Sequence, residues 1–172
     1  MLPPFRKERM DVYGEIMLDV AREKLAQADT GGPIPFHELT QSMTLDVILR
    51  TVFGVEGAEM ARLRELLEQT IAIGSAPALL MTVMQKDLGP RSPWGRFLRT
   101  RAKTQVLLNE LIDRRRREQK DTPDILSLLL AAREPNGDPM TNDAIRDELV
   151  TLLVAGHETT ATALAWMAHR LI

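Results

Sequence analysis

Cysteine is absent from the 172 residues, which excludes disulfide bonds. No charge sign dominates either: 22 Lys and Arg against 24 Asp and Glu leave a formal net charge of -2. That balance gives no electrostatic reason to expect a nucleic-acid partner. The apolar core of a signal peptide is missing, because Arg6, Lys7, Glu8 and Arg9 crowd the first residues with charge, and no export signal is expected. Internal repeats, low-complexity tracts and credible strand patterns are lacking too. What is present is 44% hydrophobic and 27% charged residues, enough for one domain with a real core. Apolar residues recur at helical spacing, and six or seven such segments predict an all-α protein, with residues 1–172 as a single domain.

Taken in order, the spacing predicts a first helix from Arg6 to Ala28 with Met10, Met17, Val20, Ala21 and Leu25 on its apolar side, stopped by Thr30-Gly31-Gly32-Pro33. After a short extended stretch, Ile34-Pro35-Phe36, a second helix starts at His37, apolar at Leu39, Met43, Val47 and Phe53, and ends at Gly54. A third runs from Glu59 to Ile73 on Leu63, Leu66, Leu67 and Ile71. Pro77 to Met84 reads equally as a turn with a short helix or as a hydrophobic loop on the core. The clearest break is Leu88 to Pro93, where Ser92 caps a helix carrying Trp94, Phe97, Val106, Leu108, Leu111 and Ile112. That helix closes in Arg114 to Arg117. A basic run invites a nucleic-acid or membrane-surface reading, but cations suit a helix C-terminus, and Asp113, Glu118 and Asp121 dilute the patch. A solvated helix end is therefore expected. Thr122-Pro123 starts another helix through Arg133, and Asn136-Gly137-Asp138-Pro139 turns into the last one.

The last helix is predicted from about Asn142 to Ile172, with Thr141 as its cap and Asp143 in its first turn. It holds Leu149 to Met167, LVTLLVAGHETTATALAWM. Within it Ala155, Gly156, His157, Glu158, Thr159 and Thr160 are poor helix design, since glycine costs ~1 kcal/mol relative to alanine and β-branched threonine is a weak helix former. At about 100° per residue, Leu152, Ala155, Gly156, Thr159, Ala163 and Trp166 share one face, and most are small. Such a face can admit a flat ligand close to the backbone. The opposite face, through Leu149, Leu153, Leu164 and Met167, is apolar as well, so the helix is expected to be buried on all sides.

The same residues admit a plainer reading: Glu158 as a satisfied buried acid, threonines bonded back to the preceding turn, and Gly156 as a packing site. A zinc site of the His-Glu-x-x-His kind is a weaker reading and is set aside, because position 161 is Ala161, and no metal ligands are assigned. The apolar length would suffice for a membrane span, but a carboxylate near its middle costs ~2.5 kcal/mol or more. No membrane is expected.

Ala155-Gly156-His157-Glu158-Thr159-Thr160 resembles the (Ala/Gly)-Gly-x-(Asp/Glu)-Thr-(Thr/Ser) motif on the long central helix of the cytochrome P-450 heme-thiolate monooxygenases. Pro123-Asp124-Ile125-Leu126-Ser127-Leu128-Leu129, then Met140-Thr141 and Ile145-Arg146-Asp147-Glu148-Leu149, is similar to the approach to that helix in bacterial members. Met43 to Leu49 with Val52-Phe53-Gly54 is similar to another internal helix of the family, and Leu2-Pro3-Pro4-Phe5 to the segment after a helix bearing Trp-x-x-x-Arg, whose side chains reach a heme propionate. The resemblance covers nearly the whole chain.

It implies heme as cofactor, dioxygen activation, and insertion of oxygen into a small apolar substrate, with electrons from a ferredoxin or reductase. Thr159 and Glu158 would be catalytic: a hydroxyl that accepts and donates, backed by an acid linked to solvent, suits proton delivery in a site that excludes bulk water. Ala155, Gly156, Thr159 and Thr160 would lie against the cofactor and bound oxygen, Pro77 to Met84 would roof the substrate pocket, and His157, which has no assigned role in the motif, is read as packing or surface. The family's iron ligand is a cysteine thiolate beyond the central helix, and this chain has no cysteine. Neither the Trp-x-x-x-Arg helix nor the downstream Glu-x-x-Arg helix is present. The expectation is a partial cytochrome P-450 fold lacking its proximal half: a truncated product, a pseudogene product or a partial sequence, inactive alone, prone to self-association through exposed apolar surface, and cytoplasmic like the soluble bacterial members. The rival from another class is a small all-α ligand-binding or regulatory protein with its own core.

Overall fold

The computed structural model describes residues 7–28, 31–74, 86–89, 91–120 and 122–171. Six helices follow one another: α1 Lys7–Gln27, α2 Phe36–Thr51, α3 Gly57–Gly74, α4 Pro93–Glu118, α5 Ile125–Ala131 and α6 Asn142–Leu171. Among the described residues there is no strand beyond one isolated bridge between Arg133 and Pro139, so the fold is all-α as expected. The chain divides into two compact units, Met1–Val55 with Glu118–Ile172, and Glu56–Arg117.

The first unit is built around the antiparallel pair α2 and α6, with α1 against α2 and α5 against α6. Its fully buried side chains include Val20, Leu45, Leu49, Phe53, Leu126, Ile145 and Leu149. α1 turns Tyr13 and Val20 inward and leaves Met10, Met17 and Leu25 exposed, which corrects the predicted face. The reason is polar: Lys24 lies four residues after Val20 on the same face, and its ammonium sits 2.9 Å from the buried Asp46 carboxylate of α2, while the Tyr13 hydroxyl donates to the Pro123 carbonyl at 2.9 Å. On α2 the apolar pattern also misled. Leu39, Met43 and Val47 are half-buried, whereas Thr40, Thr44 and Asp46 are buried, because α2 is flanked by α6 and α1 and bonds to each.

Val55 N–H reaches back to the Leu49 carbonyl at 3.1 Å, and Gly54 between them has a φ of 63°, a left-handed conformation that favours glycine. Leu126 N–H then bonds the Val52 carbonyl at 2.9 Å, seating α5 on the end of α2. α5 begins later than Thr122 because Asp124 is its cap, accepting from Ser127 N–H at 2.8 Å. It stops at Ala131, before the bridge at Arg133 draws the chain into the turn.

The second unit holds α3 and α4 up to Arg117. Leu63 and Leu67, and Leu107, Leu108, Leu111 and Ile112, are buried, while Val106 is exposed. The Thr70 and Thr104 hydroxyls meet at 2.9 Å. Ser92 caps α4 as predicted, its hydroxyl accepting from Gly95 N–H at 3.1 Å. Position 95 must be glycine, because a Cβ there would overlap the Gly89 carbonyl. The arginine run is not the solvated end expected: Arg115 is buried, and Arg114 donates to Glu59 at 2.5 Å. Pro77 to Met84, the expected pocket roof, lies outside the described residues.

Candidate functional site on the long helix

α6 starts where predicted, with Thr141 Oγ1 accepting from Ala144 N–H at 3.2 Å. It is not buried on all sides. Ile145, Leu149, Leu153, His157 and Ala161 form one buried stripe at four-residue spacing, while Val154, Trp166, Met167 and Leu171 are exposed. Its main packing partners in this unit are α2 and α5.

The buried stripe is locked to α2 by hydroxyls. Thr40 Oγ1 donates to the Ala161 carbonyl at 3.0 Å and to the His37 carbonyl at 2.9 Å. Thr44 Oγ1 lies 2.9 Å from His157 Nδ1 and 3.1 Å from the Gln41 carbonyl. His157 is thus the polar anchor of the seam, a role that its place in the motif did not suggest. The signal was Thr40 and Thr44, spaced by four like His157 and Ala161 on the facing helix.

The predicted small-residue face is open. Ala155, Thr159, Thr160 and Ala163 are exposed, and Leu152 and Gly156 half-buried. Gly156 leans toward α2, where an added Cβ would meet the Ile48 side chain at 3.6 Å, an ordinary contact, so α2 does not demand glycine there. The Thr159 hydroxyl donates to the Ala155 carbonyl at 2.5 Å, bonding back to the preceding turn as the plainer reading held. Glu158 points elsewhere: Gln41 Nε2 donates to one of its oxygens at 2.9 Å, and His37 Nε2 and Thr162 Oγ1 each lie 3.5 Å from the other. It is exposed rather than a buried acid. Among the described residues no hydrogen bond joins the Glu158 carboxylate to the Thr159 hydroxyl. The two candidate catalytic groups are adjacent on the helix but turned apart. Sequence reasoning did not identify Gln41 and His37 as partners of Glu158; the signal for them is their spacing of four on α2.

Beside this cluster a groove of about 480 Å³ is lined by His37, Thr162, Ala165, Trp166 and His169. Among the described residues no three His, Asp or Glu side chains come close enough to hold a metal ion, and no helix is long and apolar enough to cross a membrane.

Residues 5–172 match the cytochrome P-450 family. The chain belongs to that family. It is 35% identical over 173 residues to cytochrome P-450 138 of Mycobacterium tuberculosis, a match covering 99% of this chain and 39% of that protein. Cytochrome P-450 135A1 of the same organism is 37% identical over 169 residues, covering 96% of this chain and 37% of the relative. Among solved structures, retinoic-acid-bound cyanobacterial CYP120A1 superposes with a TM-score of 0.75 at 26% identity, over 93% of this chain and 35% of that one. The cytochrome P-450 CYP102L1 gives 0.77 at 25% identity, over 98% and 40%. The chain therefore spans under two fifths of the length of the two curated relatives, and its fold is a partial cytochrome P-450 fold.

Full-length cytochromes P-450 bind heme. The residues on α6 fit one side of such a group, since the exposed Ala155, Thr159 and Ala163 leave the backbone approachable by a flat ring. They do not supply its thiolate ligation, because the 172 residues contain no cysteine.

Proposed function

We propose that residues 1–172 form the oxygen-side part of a single cytochrome P-450 domain, in a heme-dependent monooxygenase that oxidises a small apolar organic substrate in the cytoplasm with electrons from a ferredoxin or reductase. The observation that carries this reading is the open stripe of Ala155, Thr159 and Ala163 on a helix whose other side is locked to α2. Heme, when bound, supplies the iron at which dioxygen is reduced. Ala155 and Gly156 keep the helix surface low enough for the ring and the oxygen to lie against it, and Thr160 lies one turn beyond Gly156.

Thr159 positions a hydroxyl on the open stripe. Its proton is held by the Ala155 carbonyl at rest, so its lone pairs accept a proton from one partner while that bond is exchanged for donation to another. Glu158, exposed and joined to His37 and Gln41, is the acid that refills this hydroxyl from solvent. The buried seam through Thr40, Thr44 and His157 keeps water from the rear of the helix, and Glu158 at its exposed edge gives protons a route from solvent.

The chain alone does not oxidise substrate, because it lacks the thiolate. The test is to add heme to the purified chain, reduce it and add carbon monoxide. No thiolate-type Soret band is expected; its appearance would overturn this part of the reading. In a longer protein that carries the chain with its cysteine, the same band is expected, and its absence there would overturn the assignment to heme chemistry.

A further inference from the structure

We propose that Gln41 and His37 on α2 are positioning residues for Glu158: they hold its carboxylate on the α2 side of α6, next to solvent, and off the face that carries Thr159. The inference rests on the reading of Glu158 as the proton-supplying acid and deepens it.

Three groups from two helices converge on one carboxylate. The Gln41 amide donates to one oxygen at 2.9 Å, and His37 Nε2 and Thr162 Oγ1 both stand 3.5 Å from the other. A glutamate alone on a helix surface samples several rotamers, and the bond from Gln41, with the His37 ring and the Thr162 hydroxyl beside the other oxygen, selects one. The clamp is built on a rigid base. His37, Gln41 and Thr44 fall on one face of α2, and the buried bonds from Thr40 to Ala161 and from Thr44 to His157 fix the register of α2 against α6 directly beneath it.

The clamp also opens to water. The His37 and Glu158 side chains are 47% and 53% exposed, and His37 lines the adjoining groove with Thr162, Trp166 and His169. The resting position of Glu158 is therefore one in which it exchanges protons with solvent. To serve Thr159, about 100° around the helix, the carboxylate must leave Gln41. Exposed hydrogen bonds bias such a choice by no more than about fivefold each. The arrangement is thus a releasable rest for the acid, and removing it frees Glu158 to spend more time near Thr159.

The experiment is ¹³C NMR of the protein carrying this chain, labelled at the glutamate carboxyl carbon, with the Glu158 signal assigned by its loss in Glu158→Gln. The signal is expected to shift in Gln41→Leu and in His37→Leu, to return toward the wild-type position in His37→Gln, which keeps a donor, and to stay put in Thr159→Ala. A Glu158 signal that is unmoved in both leucine variants overturns the proposal. Should Gln41→Leu fail to fold, Gln41→Glu, which keeps the shape and replaces the donor by a repelling acceptor, decides in its place. Turnover of the heme-loaded protein separates this inference from the function beneath it. If the signal shifts as expected while Glu158→Gln leaves turnover and its solvent deuterium isotope effect at wild-type values, the clamp stands and the acid role of Glu158 falls.

Discussion

Replacing Thr44 by Val keeps the side chain's shape and removes its hydroxyl, at a position only 7% exposed. In the native fold that hydroxyl is hydrogen-bonded to His157 Nδ1 at 2.9 Å and donates to the Gln41 carbonyl at 3.1 Å. His157 is 6% exposed, so water does not readily replace the lost partner, and a buried polar group deprived of its partner costs about 1–3 kcal/mol. For a chain of this length a loss near the middle of that range lowers the midpoint of thermal unfolding by roughly 4–8 °C. Equilibrium urea unfolding of the wild type, Thr44→Val, His157→Phe and the double variant isolates the pair. The coupling between the two sites is expected to be about 1 kcal/mol, the net worth of a buried hydrogen bond. A coupling below ~0.3 kcal/mol, within the scatter of independent sites, would refute the account of His157 as the anchor of the α2–α6 seam.

Further outcomes follow from single positions. Gly156→Ala places its Cβ 3.6 Å from the Ile48 side chain and removes a helix-interior glycine, so it should stabilise the isolated chain by up to ~1 kcal/mol; a lower melting temperature would show that α2 packs more tightly than that distance implies. Burial raises the Tyr13 hydroxyl above its ordinary 10.0. The folded state therefore favours the neutral phenol, and the resulting stability is complete below pH 10.0 and lost as pH rises through the raised value. Stability measured across the alkaline range should fall less steeply in Tyr13→Phe than in the wild type, and identical slopes would contradict the burial effect. Thr159→Ala removes an exposed side chain and should change stability by no more than about 0.5 kcal/mol. In the complete heme-loaded protein it should lower turnover by about 10²-fold or more, and unchanged turnover would end the case for its hydroxyl.

The helices were legible because their signals are local. Ser92 before Pro93, Thr141 before Asn142 and the glycines at 54 and 137 punctuate the chain through capping and left-handed backbone, which depends on neighbours a few residues away. The motif from Ala155 to Thr160 was legible for the same reason, and the grouping of small residues on one face follows from helical spacing, whereas the exposure of that face does not. Apolar periodicity was a poorer guide to which side of a helix is buried. Met10 and Met17 fitted the pattern of α1 yet are exposed, whereas Thr40, Thr44 and Asp46 broke the pattern of α2 yet are buried. Their burial is offset by partners on other helices: Ala161, His157 and Lys24.

The sequence by itself determined the all-α class, the bounds of the long helix and the identity of its polar cluster, since propensity, capping and motif are written in consecutive residues. Only the tertiary structure decided that His157 anchors the helix, that Arg114 and Arg115 are engaged rather than solvated, and that Glu158 turns to Gln41 and His37 instead of Thr159. Those choices depend on hydrogen bonds between residues from 55 to 117 positions apart, and no local pattern specifies which distant donor will face a given acceptor.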